Sequence, residues 1–381
     1  MTASETRRNF LKASAVGAIS AASASRVLGA NEDIVLGLIG TGGRGKTLLK
    51  AITNIKGYRV AATCDLVEDR AKEGAAICED QWPNVKTYTN LRTMLDREKD
   101  LDAVLVASEE GNHGKCAIPA LSMGLHCFCE KPVDTTVEKV NQLTRVARKA
   151  KGILQFGFQR HYVPAFTKGM ELIRSGAIGD VTFMQGKWHW DGDVGGRYLD
   201  LIESGGWFLA QACHHADVML WAMDYQPPVQ CGAAGAVTVR HDNDPDPRSE
   251  NHAAITFQFA NNAIFSYTHV MNCCAPFTGE QLWVFGQKGG INLPEGKLHP
   301  RAGMGEMQQY TEGVSHWENG TYEELEAFGQ HIRNGEKPRI GIEQARLSTI
   351  MGIMGRLAMY NANKNEYGLS TVNWADLDVI A

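Results

Sequence analysis

The chain has 381 residues, 44% of them hydrophobic, and 38 Lys and Arg against 43 Asp and Glu give a formal net charge of −5. That length and apolar content can bury two domain cores, so disulfides are not needed to hold the fold. The negative balance excludes nucleic acid as an expected partner, because binding phosphates needs a basic surface.

In chain order the first feature is Thr6-Arg7-Arg8-Asn9-Phe10-Leu11-Lys12, followed by a mildly apolar Ala/Ser/Gly stretch and the small residues Leu28-Gly29-Ala30. This pattern predicts a twin-arginine signal over residues 1–30, read by the Tat export machinery, and a periplasmic mature protein. Cleavage would remove four basic residues and one acidic, taking the charge to −8. No later segment approaches the ~20 apolar residues of a membrane helix. The nine cysteines lack metal-site spacing, since Cys127-x-Cys129 is tight and Cys273-Cys274 are adjacent. They read as reduced core thiols in a protein that folds in the cytoplasm before export.

Residues 31–157 alternate short apolar runs at 34–39, 58–64, 103–107, 126–129 and 153–158 with helical stretches at 46–55, 68–78, 91–96, 114–123 and 137–151. Such a β-α series buries its strands in a parallel sheet with helices on both faces. After a helix at 162–175, residues 158–381 change character. Alternating strands at 181–190, 229–239, 252–259, 264–271 and 281–285, with turns at Asn261-Asn262 and 286–290, predict a second domain built on a large, mostly antiparallel open sheet. Residues 241–249 and 298–319 read as polar loops. The class is therefore α/β followed by α+β, and the open face of the second sheet predicts a homodimer or homotetramer.

Gly40-Thr41-Gly42-Gly43-Arg44-Gly45 directly follows the first strand and opens a helix, the context in which glycines let a backbone approach a pyrophosphate at a helix N-terminus. Asp65 ends the second strand, where a carboxylate accepts bonds from ribose hydroxyls and favours NAD over NADP. Arg44 argues the other way, so NADP stays open.

Glu130-Lys131-Pro132 follows the strand at 126–129, placing the lysine at the carboxyl end of the sheet, where such folds bind ligands. With the glycine pattern, Asp102-Ala103-Val104-Leu105-Val106-Ala107 leading to Asn112-His113, Gly157-Phe158-Gln159-Arg160, and 171–179, the mature chain resembles the Gfo/Idh/MocA oxidoreductases. The resemblance implies a Rossmann domain, and a Lys131 that contacts substrate and nicotinamide ribose beside a cis Lys-Pro bond. It also implies cofactor contacts from Ser108, Asn112, His113, Glu130 and Gln159, and substrate contacts from Arg160 and Tyr162 at the domain seam.

Gly205-Gly206-Trp207-Phe208-Leu209-Ala210-Gln211-Ala212-Cys213-His214-His215-Ala216-Asp217 resembles the family segment that carries an acid and a histidine four residues apart on one helical face. His214 matches the histidine and suits a general base. The acid position holds Ala210. Either Lys131 and His214 suffice, or Asp217, Asp191 or Asp193 substitutes, or the chemistry has changed. Adjacent His214 and His215 point about 100° apart on a helix, which argues against a metal site. Trp188, Trp190, Asp191 and Asp193 close a strand with aromatics and carboxylates suited to a sugar, and Gln211 and His215 are further substrate candidates.

These residues predict an NAD(P)-dependent oxidoreductase acting on a secondary hydroxyl of a sugar, sugar derivative or polyol. A periplasmic enzyme would have to hold and recycle its cofactor. The alternatives are redox-neutral glycoside cleavage on the same fold and a non-catalytic sugar-binding protein.

Overall fold

The computed structural model describes residues 32–314, 320–360 and 370–377. The export-signal reading on residues 1–30 lies outside them, as do residues 315–319 of the second expected loop.

The first sheet has six parallel strands: β1 (Ile34–Ile39), β2 (Tyr58–Cys64), β3 (Lys86–Tyr88), β4 (Ala103–Val106), β5 (His126–Cys129) and β6 (Leu154–Phe156), in the order β3-β2-β1-β4-β5-β6. All six residues of β1 and all four of β4 are buried, which is why both read as unbroken apolar runs. Strand β3 was not expected. Its three residues, Lys-Thr-Tyr, lie at the sheet edge with no residue fully buried, so they carry no apolar signal. Helices α1 (Gly43–Ile52), α2 (Glu68–Cys78), α3 (Leu91–Arg97), α4 (His113–Ser122) and α5 (Val137–Ala147) complete the doubly wound unit. The strand order reverses between β1 and β4, and at such switch points a crevice opens beyond the strand ends.

Helix α6 (Pro164–Arg174) leads to the second sheet: β7 (Val181–His189), then α7 (Leu201–Ser204) and α8 (Trp207–Ala222), then β8 (Pro228–Ala236), β9 (His252–Phe259), β10 (Ile264–Val270), β11 (Gly279–Gly286), β12 (Gly289–Asn292), β13 (Lys297–Pro300) and β14 (Gln308–Gln309). The nine-strand order is β14-β13-β12-β11-β7-β10-β9-β8-β15, with β15 at Ser370–Asn373. Every neighbouring pair is antiparallel except β7 with β10. Both expected turns are present, joining β9 to β10 and β11 to β12.

Two expectations need correction. The second polar loop contains β13 and β14. The first is a loop as expected, but it leads into a buried polar run, Arg248-Ser249-Glu250-Asn251. It is tolerated inside because its groups are paired: the Arg248 guanidinium reaches Asp244, Asp193 and the Ser249 carbonyl, while Asn251 Oδ1 accepts from the amides of Thr238 and Val239. Finally, α9 (Thr321–Asn334) falls in the sequence-assigned second unit but packs into the core of the first sheet, where Leu325, Phe328 and Ile332 join Ile34, Leu36 and Phe128. Helix α10 (Ile342–Tyr360) then lies against α8.

None of the nine cysteines is in a disulfide, and Cys274 is exposed rather than a core thiol. Among the described residues, no helix is long and apolar enough to cross a membrane.

Candidate active site

The carboxyl ends of β1, β4 and β5 and the first two turns of α8 face each other across a cleft of about 460 Å³. Its first wall comes from the Rossmann-type sheet: Gly43, Arg44, Ala107, Ser108, Glu110, His113, Glu130, Lys131, Gln159 and Arg160. Its second comes from the other domain: Trp188, Trp190, Arg197, Tyr198, Trp207, Gln211 and His214.

The glycine loop divides its labour. Gly40 has φ +89°, and a Cβ there would stand 2.6 Å from the Ala107 backbone; one on Gly45 would stand 2.0 Å from the Gly40 carbonyl. These two glycines allow close packing of loop, strand and helix. Around Gly42 and Gly43 a Cβ would meet nothing within 4 Å, and no side chain caps α1. That open space at an uncapped helix N-terminus fits a dinucleotide pyrophosphate. Asp65 accepts from the Thr41 amide (2.9 Å) and hydroxyl (3.2 Å) through Oδ2, and from the Val67 amide (3.0 Å) through Oδ1. It therefore braces the glycine loop from the carboxyl end of β2.

Arg44 does not argue for a 2′-phosphate. Its Nε donates to Glu130 Oε1 at 2.6 Å, Nη2 to Glu324 Oε1 at 2.9 Å and Nη1 to Thr321 Oγ1 at 3.0 Å. The guanidinium is committed to an internal network that ties α1 to β5 and α9. With Asp65 at the strand end, the site favours NAD.

Lys131 emerges from β5 before a cis peptide bond to Pro132, and its Nζ donates to the Ala210 carbonyl at 2.9 Å. The position expected to hold an acid thus meets the lysine through its main chain. His214, one turn further along α8, lies beside Lys131 in the cleft and packs edge-on to Phe158. Burial holds its basicity well below the ordinary histidine value, and the positive charges of Lys131 and Arg160 push it lower. His214 is therefore neutral near pH 7.

Helix α8 starts at Gly206, which has no side chain to cap it. The cap comes from the buried polar run: Ser249 Oγ accepts from the Trp207 amide and Glu250 Oε1 from the Phe208 amide, both at 2.7 Å. Tyr360 donates to Glu250 Oε2 at 2.6 Å. A buried carboxylate at a helix N-terminus is favoured by the helix dipole, and here it fixes the helix that carries Gln211 and His214.

Several sequence candidates lie outside the cleft lining. Gly40, Thr41, Gly42, Gly45 and Asp65 shape the glycine loop, whereas Asn112 starts α4 and accepts from Lys115. Tyr162 is buried beneath the Arg339 guanidinium, which rules against direct substrate contact. His215 is fully buried, facing Trp188 and Tyr267 on the sheet side of α8, because it is one residue removed from the cleft face. Asp193 holds Arg248 and Asn251. Asp217 is bound by His161, Ser348 and Tyr225. Neither aspartate lines the cleft, so neither replaces the absent acid. Asp191 is exposed and also outside the lining.

Trp188 and Trp190 both line the cleft, as strand alternation predicts, while His189 turns to Thr268. The loop running from Trp190 to Tyr198, read from sequence as part of a sugar pocket, does bring Tyr198 into the lining, whereas sequence reading did not assign Trp207, Arg197 and Glu110. Arg197 Nε and Nη2 donate to Glu110 at 3.2 and 3.0 Å, joining the walls, and Tyr198 packs edge-on to Trp207 at 5.5 Å. Only the tryptophan and tyrosine types hinted at a sugar surface. Among the described residues, no group of three His, Cys, Asp or Glu side chains is placed to hold a metal ion.

A family model described as "Oxidoreductase family, NAD-binding Rossmann fold" (GFO_IDH_MocA) matches residues 34–158, and a GFO/IDH/MocA C-terminal domain model matches residues 166–292. A myo-inositol 2-dehydrogenase of Thermotoga maritima is 24% identical over 335 residues, covering 85% of this chain and 96% of that protein. The chain also superimposes on the crystal structure of a myo-inositol 2-dehydrogenase from Lactobacillus plantarum (TM-score 0.72, 19% identity, 90% of this chain and 99% of that one). An Agrobacterium radiobacter oxidoreductase in complex with NAD+, L-tartaric acid and magnesium gives a TM-score of 0.73 at 17% identity, covering 91% and 99%. These two superpositions establish the shared fold.

Proposed function

The chain belongs to the Gfo/Idh/MocA family of NAD(P)-dependent oxidoreductases, and on that premise we propose that it oxidises a secondary hydroxyl of a cyclic polyol or sugar, with Lys131 and His214 as its catalytic pair. The observation that carries this reading is the meeting of the two residues in one cleft: Lys131 Nζ is anchored on the Ala210 carbonyl, one helical turn from His214. When bound, the nicotinamide supplies the hydride acceptor. The ammonium of Lys131 donates to the reacting hydroxyl and stabilises the negative charge that develops on its oxygen. His214, held neutral, takes the hydroxyl proton. Trp188, Trp207 and Tyr198 supply apolar surface for the ring face, and Arg160 and Gln211 supply hydrogen bonds to other hydroxyls. Ser108, His113, Glu130 and Gln159 line the cleft beside Lys131, which supports a role for them at the nicotinamide end of a bound dinucleotide.

The Thermotoga relative's activity on myo-inositol supports a polyol or pyranose-sized ring. The twin-arginine pattern supports export of the folded protein to the periplasm with its cofactor aboard, held tightly and returned to its starting state each cycle. Aromatic rings on the outer face of the second sheet, Phe183, Trp283 and Phe285, support pairing into a homodimer or homotetramer through that face.

The test is reduction of NAD on the purified protein, followed at 340 nm in a single turnover and in the steady state, across inositols, pyranoses and their glycosides. Turnover of at least one ring-bearing polyol or sugar supports the reading. No NADH with any of them, together with no binding of added NAD, overturns it.

A further inference from the structure

The acid absent from position 210 leaves the cleft short of a carboxylate for its cations. The two carboxylates in its lining are already used, Glu110 by Arg197 and Glu130 by Arg44. Arg160 also lines the cleft and sits among the charges that lower the basicity of His214. Its partner comes from elsewhere: Nη2 is ion-paired with Oε1 of Glu280, near the start of β11.

The sheet register explains how Glu280 reaches the site. It pairs directly across from Trp188, so both side chains stand on the face that meets α8, and Trp188 is part of the cleft wall. His215 closes the other side, with Nε2 at 3.3 Å from the same Oε1. Glu280 is thus held between the substrate-side arginine and a fully buried histidine. Burial raises its carboxyl above the ordinary range, and the Arg160 charge opposes part of that rise. Arg160 Nη1 is buried and has no hydrogen-bond partner among the described residues, while its guanidinium lies over the Phe166 ring. A buried donor of this kind costs stability unless a ligand or water satisfies it.

We propose that Glu280 is a positioning residue: it fixes the Arg160 guanidinium at the cleft wall, where Arg160 donates to a substrate oxygen, providing from the sheet a carboxylate that α8 lacks at Ala210. The inference rests on the oxidoreductase reading above. It names a role for Arg160 in holding a hydroxyl or other oxygen of the polyol away from the reacting carbon, and it explains His215 as a side wall for the carboxylate. The pair also partly offsets the Arg160 charge that acts on His214.

The experiment compares the full-length parent with Glu280→Gln, Glu280→Asp, Arg160→Ala and the double variant Arg160→Ala/Glu280→Gln. It uses the best substrate from the inositol and pyranose panel and NADH affinity as the control. Loss of a charge-assisted contact predicts a KM about tenfold or more higher in Glu280→Gln, a smaller change in kcat, and unchanged NADH affinity. Glu280→Asp should recover part of the loss. Because Glu280 acts through Arg160, the double variant should have the KM of Arg160→Ala alone. Additive effects in the double variant, or a Glu280→Gln enzyme with parental KM, would overturn the inference while leaving the oxidoreductase reading intact. A parent that neither turns over nor binds any panel member would remove that reading, and the inference with it.

Discussion

The two walls of the cleft are built in opposite ways. The Rossmann wall is local: the glycine loop, Asp65 and Glu130-Lys131 each follow a parallel strand directly, so backbone geometry alone brings them to one edge. The second wall is assembled from distant pieces. Helix α8 is capped by Ser249 and Glu250, roofed by Trp188 and Trp190 at the end of β7, and backed by Glu280 from β11. Damage to the first wall should therefore appear in nucleotide binding, and damage to the second in turnover of an enzyme that still binds nucleotide. Lys131 is the junction, rising from the first wall to bond the second.

The sharpest break is His214→Gln, which keeps a polar side chain but cannot take a proton. Loss of a positioned acid–base group predicts kcat/KM down by about 10²–10⁴-fold with NADH affinity unchanged. A smaller loss comes from Glu250→Ala, which removes the cap of α8 from a fully buried site. Stability should fall by about 1–3 kcal/mol in denaturant unfolding, and kcat/KM should drop because α8 loses its anchor, again with NADH binding retained. On the other wall, Asp65→Ala should weaken NAD binding about tenfold and narrow the preference for NAD over NADP, with little effect on kcat at saturating cofactor. Parental NAD selectivity in this variant would mean that Asp65 serves the loop alone.

The mildest test is acid. His214, His215 and His269 are buried, and desolvation lowers the basicity of each, that of His269 to about 3. Above pH ~6.5 both folded and unfolded histidines are neutral, so they add no pH dependence. Below it the unfolded chain binds protons that the folded chain refuses, so stability should decline as pH falls from about 6.5 towards the folded values. Denaturant midpoints measured between pH 8 and 5 should be level at first and then drop. Removing one of these rings by His269→Gln should flatten the decline.

The same contrast decides how much was legible in the sequence. The first sheet could be read because β1 and β4 are unbroken apolar runs, and the placing of its candidate residues at the strand ends because they sit at fixed offsets from them. Strand β3, three edge residues with no buried face, left no trace. In the second domain the strands were visible through alternation. The cap of α8 was not, because Gly206 carries no signal of it and Ser249-Glu250 lies in a run whose polarity reads as loop. Arg44 misled for a related reason: a sequence shows a positive charge near the phosphates but not Glu130 and Glu324, which occupy it. His215 was placed in the site because it adjoins His214, although adjacent residues on a helix face different surroundings.

The most direct test of the account is to measure NADH affinity and polyol turnover side by side in the parent and in Lys131→Ala. The account predicts similar NADH affinity in both, with kcat/KM in the variant lower by about 10²-fold or more. Turnover at the parental rate in Lys131→Ala would contradict it, because the residue that joins the two walls would then have no part in the chemistry.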